Sequence, residues 1–460
     1  MKLFKKSLFL FHRDLRINDN TGLIAALHQS ESVMPCFIFE PKQVGKGNEY
    51  RSANAIQFML ESLHDLDRQL RKKDAQLYLF TGNTEDVIKK LIKTESVDAF
   101  FCNKDYTPFS IKRDEHIKKI CINFNCTFLT FSDALINEPE AVLKSDNTPY
   151  TIFTPFYKRA NKIPVASPEK LLSNNFYKKH IAGAQKLSSI TKKILPKMNT
   201  QICDNGGRDN ALKILRSLKK FKNYAQDHDY PAKDATTHLS AHLKFGTVSV
   251  REVISAIKKH LGSSPIIRQL YWRDFFTHIA YHSPFVFGQA YQQKYNKLKW
   301  RNNKKEFHAW CTGTTGFPIV DAGMRQLITT GFMHNRVRMI VASFLVKDLH
   351  IDWRWGEQFF AQHLQDYDPA VNNGNWQWAA STGADSQPYF RIFNPWLQQK
   401  KFDRDCSYIK KWVPELRNIE NKIIHSLYNL KQPITRYPRP IVTHEIEARK
   451  SKIIYRNCQN

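Results

Sequence analysis

Met34-Pro35-Cys36-Phe37-Ile38-Phe39 and Gln76-Leu77-Tyr78-Leu79-Phe80 are short apolar runs, and between them Ile56, Met59, Leu60, Leu63, Leu66 and Leu70 recur at helical spacing. Runs of this length read as buried strands, and the spaced residues as one apolar face of a helix that Ser52 can cap. Working outward, residues 8–11, 97–102 and 127–131 repeat the strand pattern, with helical patterns between them. That alternation predicts an α/β fold with a doubly wound parallel sheet over residues 1–131. Such folds place a ligand crevice at the carboxyl ends of the strands. Neither G-x-G-x-x-G nor G-x-x-x-x-G-K-[ST] occurs, so no standard phosphate loop is expected there.

Lys5 and Lys6 ahead of Leu8-Phe9-Leu10-Phe11 imitate a secretory signal, but the apolar run stops at His12-Arg13-Asp14. Secretion is therefore not expected. The longest apolar stretches, such as 35–39 and 339–346, fall well short of the ~18 residues that span a bilayer. A soluble, cytoplasmic monomer with no membrane partner is expected. Residues 132–200 are punctuated by Pro, Asn and Lys and read as a long linker. From 201 to 460 the patterns are helical, for example 211–221, 250–261, 266–281, 323–330 and 336–349, and predict an all-α domain. All nine tryptophans lie at or after Trp272, which separates the two halves further.

Hydrophobic residues at 42% and aromatic residues at 13% exclude a disordered chain. A net charge of +28 fits a polyanionic partner held through counterion release, and it equally fits a lysine-rich composition. Eight cysteines without a C-x-x-C pair suggest reduced thiols rather than a disulfide framework or a metal cluster.

The densest polar and aromatic cluster is Trp353-Arg354-Trp355 followed by Asp366-Tyr367-Asp368-Pro369-Ala370-Val371-Asn372-Asn373-Gly374-Asn375-Trp376-Gln377-Trp378. It reads either as a tryptophan-rich core or as a pocket for a large planar ligand, with indoles to stack and Asn or Asp to bind ring edges. Thr236-Thr237-His238-Leu239-Ser240 precedes a helical pattern and can cap that helix or cradle a phosphate. In His334-Asn335-Arg336-Val337-Arg338-Met339 the two arginines cannot share a helical face, so one can pair a carboxylate while the other reaches a phosphate. His278 and His282 have i, i+4 spacing but lack the glutamate of H-E-x-x-H, and read as partly exposed helix histidines; no metal is expected. Asp366 and Asp368 as an acid–base pair is the weaker reading.

Taken together, the motifs resemble the photolyase/cryptochrome flavoprotein family, most closely its class I cyclobutane pyrimidine dimer photolyases. The residues that carry the likeness are His12 to Asn20, Pro149-Tyr150 with Phe153-Thr154-Pro155-Phe156, Tyr271 to Phe276, Gly316 to Arg325, Met333 to Val346 and Asn372 to Pro395. The resemblance implies FAD held in the helical domain, active as FADH⁻. Tyr224, Thr236, Thr237, His238, Leu239 and Ser240 would hold its phosphates. Asp366, Tyr367 and Asp368 would contact ring and ribose, Asn372 would face flavin N5, and Arg338 would pair Asp366. Trp376, Trp353 and Trp300 would form an electron-transfer chain to the surface. The activity implied is light-dependent DNA repair: an electron lent to a flipped-out dimer splits it and returns. Trp272 and Trp378 would flank that dimer, with Trp272 also against the cofactor, and Asn335 and Met339 would complete the pocket. Arg273, Arg336, Arg391 and Gln398 would contact UV-damaged DNA through its backbone.

Three departures from the family pattern stand out. Gln269 replaces the Glu that class I dimer enzymes use on the lesion, and six-four photolyases carry Gln there; against that assignment, 334–339 lacks the second histidine of six-four enzymes. His238 and His228 stand where arginines are common, which implies phosphate affinity that softens as protons become scarce. Asp105-Tyr106-Thr107-Pro108-Phe109-Ser110 lacks the Asn-Glu pair of folate-binding members, which argues against a methenyltetrahydrofolate antenna and leaves a deazaflavin, another flavin or none. The alternatives to dimer repair are a six-four photolyase, a blue-light cryptochrome photoreceptor or a flavin-free basic DNA-binding protein. Only about twenty residues follow Pro440, where signalling cryptochromes usually add a long tail.

Overall fold

Five strands, β1 (Phe4–Leu10), β2 (Ser30–Phe39), β3 (Tyr78–Thr81), β4 (Ala99–Asn103) and β5 (Thr127–Phe131), form one parallel sheet in the order β3-β2-β1-β4-β5. They belong to a computed structural model that describes residues 2–432 and 434–458. Alternate side chains of β1 enter opposite cores, Phe9 on one face with Leu23, Leu27 and Leu63, and Leu8 and Leu10 on the other with Ile88 and Ile117. The signal-like start of the chain is thus the central strand. Pro35 is tolerated in β2 because β3 pairs with that strand only from Cys36 onward, so no ladder donor is missed.

The helix expected after Ser52 runs Ala53–Arg71, with the serine hydroxyl accepting Ala55 N–H. Strand β3 starts later than the apolar run beginning at Gln76, because Leu77 N–H donates to Asp67 Oδ1 of that helix instead of to the sheet. Residues 132–200 are not a free tether. Tyr177 N–H donates to Val33 O, Asn175 holds Leu27 O and Ser30 O, and two helices, Phe153–Ala160 and Leu187–Ile194, lie within the segment.

The remaining chain is helical. Val250–Leu261 coincides with its expected span and opens with a capping box of Ser249 and Glu252. The single helix expected over 336–349 instead ends at Ser343 and continues as a wider π-type turn, Phe344–Asp348. That turn buries Lys347, whose Nζ donates to Ser381 Oγ at 3.0 Å and sits 3.5 Å from the Tyr455 ring centroid. Helix Pro369–Ala379 packs against Pro265–His282 at Gly374, where a Cβ would fall 2.2 Å from the Phe276 ring. It meets Trp353–His363 at Gly356, where a Cβ would lie 2.2 Å from Trp376. These glycines bring three helices around one space.

Candidate functional site

That space is a cavity of about 480 Å³. Tyr224, Thr237, Leu239 and Ser240 line one side, and Arg338, Asp366, Tyr367 and Asp368 another. Helix Pro369–Ala379 contributes Asn372, Trp376 and Trp378. Gln269, Trp272, Asn335 and Met339 complete the lining. The tryptophan-rich cluster therefore serves both of its readings, since Trp353 is core while Trp376 and Trp378 are wall.

Several bonds fix the polar groups. Arg338 Nη2 donates to Asp366 Oδ2 at 3.0 Å, the expected pair, and its Nε donates to Met333 O. Asp368 caps its helix through Ala370 and Val371 N–H, and its second oxygen takes Arg13 Nη2 at 2.5 Å. Burial opposes charge on Asp368, but Arg13, Lys244 and Arg273 outweigh it and bring its pKa to about 2. The Asn372 amide donates to Glu357 O, and the neighbouring Asn373 donates to the Glu357 carboxyl. Trp272 lies flat on Phe153, ring centroids 3.7 Å apart. The helix after the Thr236–Leu239 segment, Ser240–Phe245, takes no side-chain cap, and Thr236 Oγ1 is buried without a partner, so simple capping does not account for these hydroxyls.

Some expected residues point elsewhere. Arg273 lines the cavity, but its guanidinium turns inward and donates to Ala134 O at 2.8 Å, so it is not free on the surface for DNA. Arg336 is taken up by Asp229 at 2.7 Å and stacks on Phe402 at 4.4 Å. Both arginines of 334–339 thus pair carboxylates. Arg391 is exposed and Gln398 half-buried, both outside the cavity lining. His238 faces away from the cavity into Asp204 and Asp234. Burial would discharge it, but these two carboxylates raise its pKa to about 12, so it stays cationic and the expected softening does not arise at this histidine. His278 is buried, with Nε2 against Asn137 O, rather than partly exposed.

The three tryptophans of the expected electron path grade outward: Trp376 lines the cavity, Trp353 is core, and Trp300 is half-buried at the edge of the same cluster. Trp376 also touches Trp310 and Phe360 edge-on at 6.1 and 4.9 Å.

A second cavity, of about 560 Å³, opens at the carboxyl ends of β1 and β2, beside the switch point between β1 and β4. His12, Arg13, Lys42, Arg51 and Arg113 supply cationic or titratable groups, and Phe37, Tyr50 and Phe109 supply rings. Lys244 and Tyr367 line both cavities and form the wall between them. Burial and the neighbouring Arg13 lower the Lys244 pKa to about 8. Arg13 and Lys244 escaped sequence reading because nothing local to 12–16 or 240–245 announces a partner more than a hundred residues away.

Fold and site define a two-part, nucleotide-cofactor type of protein, with one aromatic cavity open to a planar substrate and another at a sheet switch point. Profiles described as "DNA photolyase" and "FAD binding domain of DNA photolyase" match residues 7–171 and 266–457. The deoxyribodipyrimidine photo-lyase of Agrobacterium fabrum is 36% identical, with 94% of each chain covered. A Sulfolobus tokodaii photolyase, crystallised with two FAD molecules, is 42% identical at TM-score 0.89, with 98% of this chain and 100% of that one covered. A class III photolyase of Agrobacterium tumefaciens is 34% identical at TM-score 0.92, with 99% and 98% covered. The chain belongs to the DNA photolyase family, FAD-binding enzymes of light-dependent DNA repair. Its first cavity fits FAD on its own terms: the hydroxyl donors at Thr237 and Ser240, the Arg338–Asp366 pair and Asp368, held from behind by Arg13, match a group with phosphates, ribose and a polar ring edge. No helix among the described residues is long and apolar enough to cross a membrane.

Proposed function

We propose that the protein splits cyclobutane pyrimidine dimers in UV-damaged DNA, as a cytoplasmic monomer. The observation that carries this reading is that one cavity joins Asp366, Asp368 and Asn372 to Gln269, Trp272, Asn335, Met339 and Trp378. A cofactor and an extruded pyrimidine dimer can therefore share a single space. When bound, FAD supplies the light-driven electron that opens the dimer and is restored afterwards. Trp272, stiffened by Phe153, and Trp378 present ring faces to the flipped bases. Gln269 and Asn335 offer amide donors and acceptors to thymine edges. Met339 and Phe276 add apolar wall. Trp376, Trp353 and Trp300 lead from the wall through the core towards solvent, a path along which oxidisable indoles can relay an electron.

Gln269 favours a six-four lesion, but His334 weakens that reading. It does not line the cavity, its Nδ1 accepts Arg336 N–H at 3.2 Å, and burial lowers its pKa to about 4, so near neutral pH it is uncharged and has no imidazolium proton to give a six-four lesion. The second cavity suits an anionic ring chromophore as antenna, and the Sulfolobus tokodaii relative with two FAD molecules makes a second FAD the first occupant to test. The deciding experiment illuminates reduced enzyme with oligonucleotides carrying either lesion, alongside an absorption spectrum of the released chromophores. Repair of six-four lesions alone would refute the dimer assignment.

A further inference from the structure

Outside the cavity wall, Cys203, Asp204 and His238 converge from segments 34 residues apart, with no sequence motif linking them. Their ligand atoms lie within 4.8 Å of one another. Cys203 Sγ is 3.5 Å from His238 Nδ1, and Asp204 Oδ1 is 3.2 Å from the same nitrogen. A tetrahedral zinc ion, with Zn–S about 2.3 Å and Zn–N or Zn–O about 2.0–2.1 Å, sets sulfur and nitrogen about 3.5 Å apart and nitrogen and oxygen about 3.3 Å apart. The spacing is that of three ligands around one centre.

The groups behind these atoms match as well. Metal-bound histidines generally give their other ring nitrogen to a carboxylate, and His238 Nε2 meets Asp234 Oδ1 at 2.9 Å. Gln365 Nε2 donates to Asp204 Oδ2, orienting that carboxylate. The His238 ring is pinned on Phe332 at 4.5 Å, and its backbone sits at φ 55°, a left-handed conformation that a non-glycine residue keeps only when its surroundings impose it. Cys203 reaches solvent and gives an ion a way in.

We infer that Cys203, Asp204 and His238 form a zinc-binding site with an open fourth position, next to the Thr236–Ser240 wall of the cofactor cavity. Binding displaces the thiol proton and one imidazolium proton. The ion fastens three segments together: the chain at 203–204, the 236–240 turn, and Gln365 beside Asp366. This inference stands apart from the choice of lesion.

Holoenzyme dialysed against a chelator, then ZnCl₂, then buffer, should retain one zinc per chain by plasma emission, and Cys203→Ser and Asp204→Asn should fall to background. With Cd²⁺ as probe, wild type should gain an ultraviolet thiolate-to-metal band that Cys203→Ser lacks. In unmodified protein, Zn²⁺ should slow iodoacetamide alkylation of Cys203 while the half-buried Cys311 and Cys458 serve as internal references. Substoichiometric zinc in wild type, full zinc in Cys203→Ser, or unprotected Cys203 would each overturn the site in favour of a hydrogen-bonded Cys–His–Asp group.

Discussion

Arg13 Nη2 lies 2.5 Å from Asp368 Oδ2, while Nη1 of the same guanidinium lies 3.3 Å from Asp105 Oδ1. One side chain from the loop after β1 thus ties the loop after β4 to the N-cap of the helix that carries Asn372 and Trp376. Because Asp368 and Arg13 are both largely buried, Arg13→Ala strands a carboxylate. Loss of a buried partner costs about 3–5 kcal/mol, and Lys244 and Arg273 near Asp368 should keep the cost at the lower end. Calorimetric unfolding should show the loss, and flavin should release more readily on dilution. An unchanged melting point and flavin content would mean that the remaining cations suffice.

Much of this architecture is legible in the chain because it is written locally. Residues 127–131 and 250–261 match their elements to the residue, since a short β-branched and aromatic run and a helical apolar period are properties of neighbouring positions. The Arg338–Asp366 pair and the cavity residues Asn335, Met339 and Trp378 were accessible through motif resemblance. Direction was not: Arg273, Arg336 and His238 occupy the expected positions, but Ala134, Asp229 and Asp204 decide where they point. Such partners lie far away in sequence, and no periodicity reports them. The second cavity was foreseeable as a crevice but not in its lining, which draws on several strand ends and the helical half together.

Glu357 is buried behind Asn372, and that burial, eased only in part by the Asn373 amide and Arg354, lifts its pKa from 4.5 to about 7. An acid that holds its proton more tightly when folded destabilises the fold as pH rises from its unfolded value to its folded one. Stability from this group should therefore fall between about pH 4.5 and 7, by up to about 3 kcal/mol. Glu357→Gln should flatten that dependence and leave the variant more stable than wild type at pH 8. Parallel melting curves for the two proteins across this range would contradict the assignment.

Trp300, the outermost indole of the three, should matter for photoreduction of oxidised flavin and not for repair by enzyme reduced beforehand. Trp300→Phe retains an aromatic ring against Tyr455, 6.4 Å away, so the core should hold while the oxidisable indole is lost. Photoreduction under steady illumination should slow several-fold at unchanged repair yield in dithionite-reduced samples. Equal losses in both assays would assign Trp300 to packing alone.

Gln269 lines the cavity from helix Pro265–His282 and is exposed towards its mouth. If its amide makes a weaker version of a carboxylate contact to the lesion, Gln269→Glu should keep or raise the yield of dimer repair, measured per absorbed photon on oligo(dT). Abolished repair would show a pocket built around the amide donor, and with it a different lesion geometry.

The +28 net charge should be felt by DNA at the cavity rim rather than through Arg273 or Arg336, whose guanidinium groups are committed to Ala134 O and Asp229. Arg391 is exposed on the segment between helices Pro369–Ala379 and Pro395–Phe402 and is free to meet a phosphate. Removing one phosphate contact lowers the slope of log affinity against log salt by about 1. Binding of UV-damaged duplex by Arg391→Ala, titrated from low to moderate salt, should show that change, while Arg336→Ala should chiefly lower thermal stability by unpairing Asp229. The reverse pattern, a shallower slope for Arg336→Ala and none for Arg391→Ala, would place the DNA backbone against the other side of the cavity mouth.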